Sequence, residues 1–168
     1  DELDRLAASG DVEKTTRAFS DLKERFPRTL QTQQGALLAA KVQAEKGQAD
    51  AALATLGWVA DNAGEDELRS IARLRAAGLL LDQKKFDEAL KQLDAAQQGT
   101  PREFDALIAD RRGDILAAQG NRAEAIAAYQ ASYKAMDPKT EYRTLVEAKL
   151  TSLGAAPAPD AAASGVAK

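Results

Sequence analysis

Apolar residues return along this chain at intervals of three and four, as in Leu74, Ala77, Leu81 and in Ile108, Arg112, Ile115. That is the periodicity of amphipathic helices, whose side chains share a face at those separations, and not the alternation of strands. Together with the intervening turn residues, the pattern predicts helices over 11–25, 29–46, 49–63, 65–83, 86–98, 102–119, 122–135 and 139–153. A short frayed segment is expected before Gly10. Arg112 interrupts an apolar row and is read as a cap, an acid's partner or a groove residue.

The polar positions carry a second, longer period. The stretches KGQADAALATL (46–56), QKKFDEALKQL (83–93) and QGNRAEAIAAY (119–129) align without a gap at spacings of 37 and 36 residues. In each, a small residue (Ala52, Ala89, Ala125) is followed at a fixed distance by a large one (Leu56, Leu93, Tyr129). SGDVEKTTRAF (9–19) fits the same frame with Thr15 and Phe19. Pro27, Gly64, Pro101 and Pro138 recur every 37 residues just past a helical stretch, where residues that cannot continue a helix belong. Such a period marks stacked repeats, none of which can bury its apolar face alone.

This pattern resembles the tetratricopeptide repeat, a helix-turn-helix unit of nominally 34 residues. Ala40, Ala77 and Gly113 stand at the small position of the first helix. Ala52, Leu56, Val59; Ala89, Leu93, Ala96; and Ala125, Tyr129, Ser132 stand at the small, bulky and small positions of the second. The usual early Trp or Leu is replaced by Ala36, Arg73 and Ala109, so the units read as degenerate and slightly lengthened. The resemblance implies an all-α, right-handed tetratricopeptide-like α-solenoid of about three and a half repeats. Its parts would be a degenerate opening repeat (1–27), repeats at 28–64, 65–101 and 102–138, a capping helix (139–153) and a disordered Ala/Pro-rich tail (154–168).

Composition narrows the chemistry. Of 168 residues 45% are apolar but only 5% aromatic, and the net charge of −3 comes from 23 basic and 26 acidic residues with no basic block, which leaves phosphate-backbone binding without support. Cysteine and histidine are both absent, removing thiol nucleophiles, imidazole acid-base work and the usual zinc ligands. No enzyme activity, cofactor or metal is expected. The acid pairs Asp110 with Asp114 and Asp87 with Asp94 are read as solvated. A carboxylate-dependent hydrolase, the rival class, would need two such acids to converge in a closed pocket. Gly113 and Gly120 lack the strand and Lys-Ser/Thr ending of a phosphate loop, and the Arg-Gly-Asp triplet at 112–114 falls within a helix. Trp58, the single tryptophan, is read as packing between repeats or against the preceding second helix, with a partner-binding anchor as the other reading.

In such repeats the first helices line the concave face. The family's groove positions fall on Gln34, Leu37, Lys41, Ile71, Leu74, Gly78, Leu81, Leu107, Asp110 and Asp114, an apolar set with few charges. It suits a helix or an unfolded apolar segment of a protein partner, and only Lys41 answers the constellation of a carboxylate clamp. Several of these leucines read equally well as core.

The order of units, and above all IADRRGDIL followed by QGNRAEA, is similar to the YfgM-like bacterial proteins over roughly residues 5 to 153. That resemblance implies the periplasmic domain of an inner-membrane protein that is an ancillary subunit of the SecYEG translocon. Its partners would be the translocon, the PpiD-like periplasmic chaperone and nascent chains. A single membrane span would precede Asp1. No stretch of the chain itself approaches the ~18 apolar residues a span needs, and an opening Asp1 rather than Met reads as the inside of a longer product. The alternative is a tetratricopeptide scaffold for an unrelated cytoplasmic or envelope complex.

Overall fold

The computed structural model describes residues 2–99 and 101–157 and contains, among them, α-helices and one 3₁₀ turn but no strand. In order the helices are α1 (Glu2–Ala8), α2 (Val12–Arg25), α3 (Leu30–Glu45), α4 (Ala49–Asn62), α5 (Asp66–Asp82), α6 (Phe86–Gln97), α7 (Asp105–Ala118), α8 (Arg122–Ala135) and α9 (Glu141–Ser152). The 3₁₀ turn, Arg102–Phe104, leads into α7. All eight helices expected from the periodicity are present, with ends displaced by at most three residues. The expectation of a disordered tail falls, for residues 158–168, outside the described residues. At its near end, Ala155 donates its N–H to the Leu150 carbonyl and closes α9.

The chain divides into two compact units, Asp1–Phe104 and Asp105–Lys168. The first is three antiparallel hairpins, α1/α2, α3/α4 and α5/α6, in which α3 packs against α1 and α5 and α4 against α5. The second is the α7/α8 hairpin with α9 laid against α8.

One expectation is corrected at the start of the chain. The segment before Gly10 is not frayed: α1 buries Leu3 and Ala7, and Leu3 joins the core with Phe19 of α2 and Ala36 and Leu37 of α3. Two apolar residues suffice because α3 supplies the other wall, which no local periodicity reports.

The repeat frame identifies the core. Ala52, Leu56, Val59, Ala89, Leu93, Ala96, Ala125, Tyr129 and Ser132 are all buried, as are Thr15, Phe19, Ala40 and Ala77. The buried hydroxyls are satisfied locally: Thr15 Oγ1 donates to the Asp11 carbonyl at 2.7 Å, and Ser132 Oγ to the Ala106 carbonyl of α7 at 2.7 Å. Helix starts follow their signals. Asp11 accepts from Lys14 N–H at 3.0 Å, which with the Lys14 side chain holds its carboxyl below the usual carboxylate value, and Thr29 accepts from Thr32 N–H at 3.2 Å.

Within a hairpin the first helix ends on a left-handed residue. After α3 that residue is Gly47 (φ 76°), with Gln48 N–H bonded to Gln43 O and Gly47 N–H to Ala44 O, the paired closure of a Schellman turn. Lys85 and Lys84 repeat both bonds after α5, but Lys84 carries φ 58° with a Cβ in place. A side chain in that region is strained, while glycine adopts it freely at some cost in unfolded-chain entropy. Lys84→Gly is therefore expected to stabilise the chain by about 0.5 to 1 kcal/mol, measured as a higher urea midpoint with an unchanged slope.

Candidate functional site

In the first unit the expected groove positions fall on α3 and α5, which pack side by side. Gln34 and Lys41 are exposed, and Lys41 Nζ lies 3.8 Å from Glu45 of its own helix. Ile71, Leu74, Gly78 and Leu81 form a half-buried row along α5. Leu37 is different: at 7% exposure it belongs to the core, the reading held open for the leucines, and it backs the surface without forming it.

Arg75 completes this face and was not among the positions read from the sequence. It is exposed, and its Nη1 donates to the Leu37 carbonyl of α3 at 3.2 Å, tying the two first helices together across the repeat boundary. The result is a row of aliphatic surface on α5 flanked by Gln34, Lys41 and Arg75. It offers apolar area with cationic and amide groups at its edge, and carries no acid-base pair.

The second unit holds the remaining three positions and a correction. Leu107 is 40% exposed on α7. Asp110 is not solvated: its side chain is 4% exposed and lies under α9, where Lys149 Nζ approaches Oδ1 at 2.8 Å and Oδ2 at 3.0 Å. The same ammonium is 2.8 Å from Asp114 Oδ1, which is half-buried. Two tyrosines finish the cluster, Tyr142 of α9 donating to Asp110 Oδ2 at 2.5 Å and Tyr129 of α8 to Asp114 Oδ1 at 2.8 Å. Asp114 Oδ2 faces Arg111 at 3.9 Å. Asp87 and Asp94, the other acid pair, are both exposed.

The two carboxylates do converge, as a hydrolase would require, but on a lysine. Both oxygens of Asp110 and Oδ1 of Asp114 already accept from fixed donors, so those lone pairs are not aimed at a substrate. The cluster's chemistry is to hold α9 in register on α7 and α8. Burial, and then the carboxylate that each hydroxyl faces, push both tyrosines above the ordinary phenol value, so both remain donors throughout the neutral range. The sign of this linkage is that the stabilisation is complete below pH ~10, where unfolded tyrosine ionises, and is lost as pH rises further.

Two sequence details become legible here. Gly113 is small because a Cβ there would overlap the Tyr129 ring, which packs close against it. Trp58 meets Phe19 of α2 edge-on at 5.6 Å and 67°, with Lys23 Nζ 5.5 Å from its ring. It thus packs against the preceding second helix, the first of the two readings given for it.

Comparison with known proteins agrees with this architecture. The family model described as "Tetratricopeptide repeat-like domain" matches residues 1–155. A curated relative, the "Ancillary SecYEG translocon subunit" of Neisseria gonorrhoeae (strain ATCC 700825 / FA 1090), is 31% identical over 135 residues, which cover 80% of this chain. The match spans 63% of that relative's length. A relative of this description is what the resemblance to the YfgM-like proteins anticipates.

Proposed function

Because the chain belongs to the tetratricopeptide repeat-like family, whose fold class is the all-α solenoid, we propose that it is a non-catalytic adaptor binding protein partners through the first-helix face of α3 and α5. The observation that carries this reading is the half-buried row Ile71, Leu74, Gly78 and Leu81, edged by Gln34, Lys41 and Arg75. Such a surface offers an apolar centre and a polar rim, which suits a helix or an unfolded apolar segment better than a charged ligand. In the second unit, taken by itself, Leu107 is an exposed apolar residue on α7. Asp110 and Asp114 contribute there by positioning α9.

The relative's name supports a translocon partner, and the resemblance to the YfgM-like proteins extends this to a finer reading. The chain would be the periplasmic domain of an inner-membrane-anchored ancillary translocon subunit, and its partners would be SecYEG, a PpiD-like chaperone and emerging chains. Its action would be local concentration and transient holding, with no bond made or broken. Among the described residues no helix is long and apolar enough to cross a membrane.

Co-isolation from native membranes tests the proposal. Leu74→Gln in the complete gene product is expected to lower translocon recovery roughly tenfold, the equivalent of ~1.4 kcal/mol, with the thermal midpoint little changed. Lys91→Glu, on the exposed surface of α6, is expected to leave recovery unaltered. Equal recovery with both variants would remove the α3/α5 face from the account.

A further inference from the structure

We propose that the face of the α7/α8 hairpin beneath α9 is a seat for an amphipathic helix of a partner protein that sets a lysine or arginine against Asp110 and Asp114, and that α9 is its resident, exchangeable occupant. This surface is distinct from the first-helix face of α3 and α5, and the argument for it is independent of that reading.

The first observation is how little of α9 is buried. Its fully buried side chains are Val146 and Leu150, whereas α7 buries Ala106, Ile108, Asp110, Gly113, Ile115 and Leu116. Leu145 is 47% exposed, and Tyr142, whose hydroxyl reaches Asp110, is itself 37% exposed. Its connection to α8 is a short loop whose Met136 packs on the edge of the apolar cluster. Residues 136–140 are non-helical, and the bonds recorded within them, Lys139 N–H to Asp137 Oδ1 and Thr140 N–H to Asp137 O, are local to the loop. Ties to α8 include Arg122 to the Leu153 carbonyl at 2.6 Å, which is exposed, and Arg143 to the Tyr133 carbonyl at 3.3 Å and over the Tyr133 ring at 3.9 Å. Terminal elements held by few buried apolar groups open independently of the rest of a fold.

The second observation is that the seat is chemically selective. Its apolar part, Leu116, Ala125, Ala128 and Tyr129, takes the i, i+4 pair Val146 and Leu150. Its polar part is two carboxylates from α7 that are covered only when a cation arrives with the helix, as Lys149 does at 2.8 Å from both. Desolvating those acids without a cation is heavily penalised, while the paired state roughly balances its desolvation cost. The seat therefore demands charge complementarity of whatever helix occupies it. The titratable and charged groups around the lysine are Asp110, Asp114 and Arg111 of α7, Tyr129 of α8 and Tyr142 of α9. A competing helix would match the resident: an apolar pair four apart, a lysine or arginine just before its second member, and a hydrogen-bond donor two turns earlier in place of Tyr142. An acidic residue at the position of Lys149 is excluded by the two aspartates.

A resident that opens lowers an incoming helix's apparent affinity by the fraction of time the seat is vacant, so weakening the resident must strengthen binding in trans. Two measurements on the whole chain decide the matter. In native-state hydrogen exchange the α9 amides are expected to exchange as a group at least tenfold faster than those of α7 and α8. Equal protection of the three helices would overturn the proposal without any variant. In fluorescence anisotropy, a labelled peptide of residues 140–155 is expected to bind the Leu150→Ala chain at least tenfold more tightly than the unaltered chain. The same peptide carrying Lys149→Glu is expected to bind at least tenfold more weakly. Failure of the peptide to bind the Leu150→Ala chain, or binding indifferent to the charge reversal, would make α9 a permanent cap.

Discussion

Replacing Lys149 by methionine is expected to weaken the docking of α9 by about 3 kcal/mol, the low end of the penalty for removing one partner of a buried ion pair. Methionine keeps the length and apolar stem of lysine, so packing is little altered. What remains is Asp110, 4% exposed, with Tyr142 as its surviving donor. The lysine is itself 22% exposed and Asp114 21%, which lets water reach part of the cluster and holds the cost to the lower figure. Adding Asp110→Asn removes the stranded charge, and the double variant is expected to recover at least half of the loss. Hydrogen exchange of the α9 amides measures both values. An unchanged exchange rate in Lys149→Met would show that the acids are solvated after all.

Leu56→Ala is expected to cost the first unit about 3 kcal/mol, within the range for truncating a fully buried leucine that leaves a cavity. Leu56 stands at the bulky position of the second helix and is 2% exposed among Phe19, Val59 and Ala40. Leu53, on the same helix and equally apolar, is half-buried at the edge of that cluster. Leu53→Ala is expected to cost less than half as much. Urea unfolding with a constant slope compares them, and equal midpoints would mean that the repeat frame does not set the core.

The contrast between these leucines shows what the chain's pattern conveys. Position in a 37-residue frame separates Leu56 from Leu53, which composition and local hydrophobicity do not. Helix ends are legible for the same reason: Asp11, Thr29, Gly47 and the spaced prolines each act through the backbone within a few residues. Contacts that cross from one repeat to the next leave no such trace. Asp110 and Lys149 are 39 residues apart, and on its own helix Asp110 looks like one more charge on a polar face. Arg75 is silent in the sequence because its partner is a backbone carbonyl, which has no side chain to signal it. The left-handed Lys84 is silent too, since the glycine expected at that turn is missing. The face of α3 and α5 was legible only through the repeat resemblance, which fixed the stripe but not the depth of Leu37.

Site-specific photo-crosslinking tests the adaptor account most directly. A photoreactive residue is placed at Leu74, and in a separate chain at Lys91, in the complete gene product within its native membrane. Adducts with the translocon, a periplasmic chaperone or nascent chains from Leu74, and none from Lys91, are the predicted result. Adducts from Lys91 with none from Leu74 would contradict it and place partner binding on the second helices.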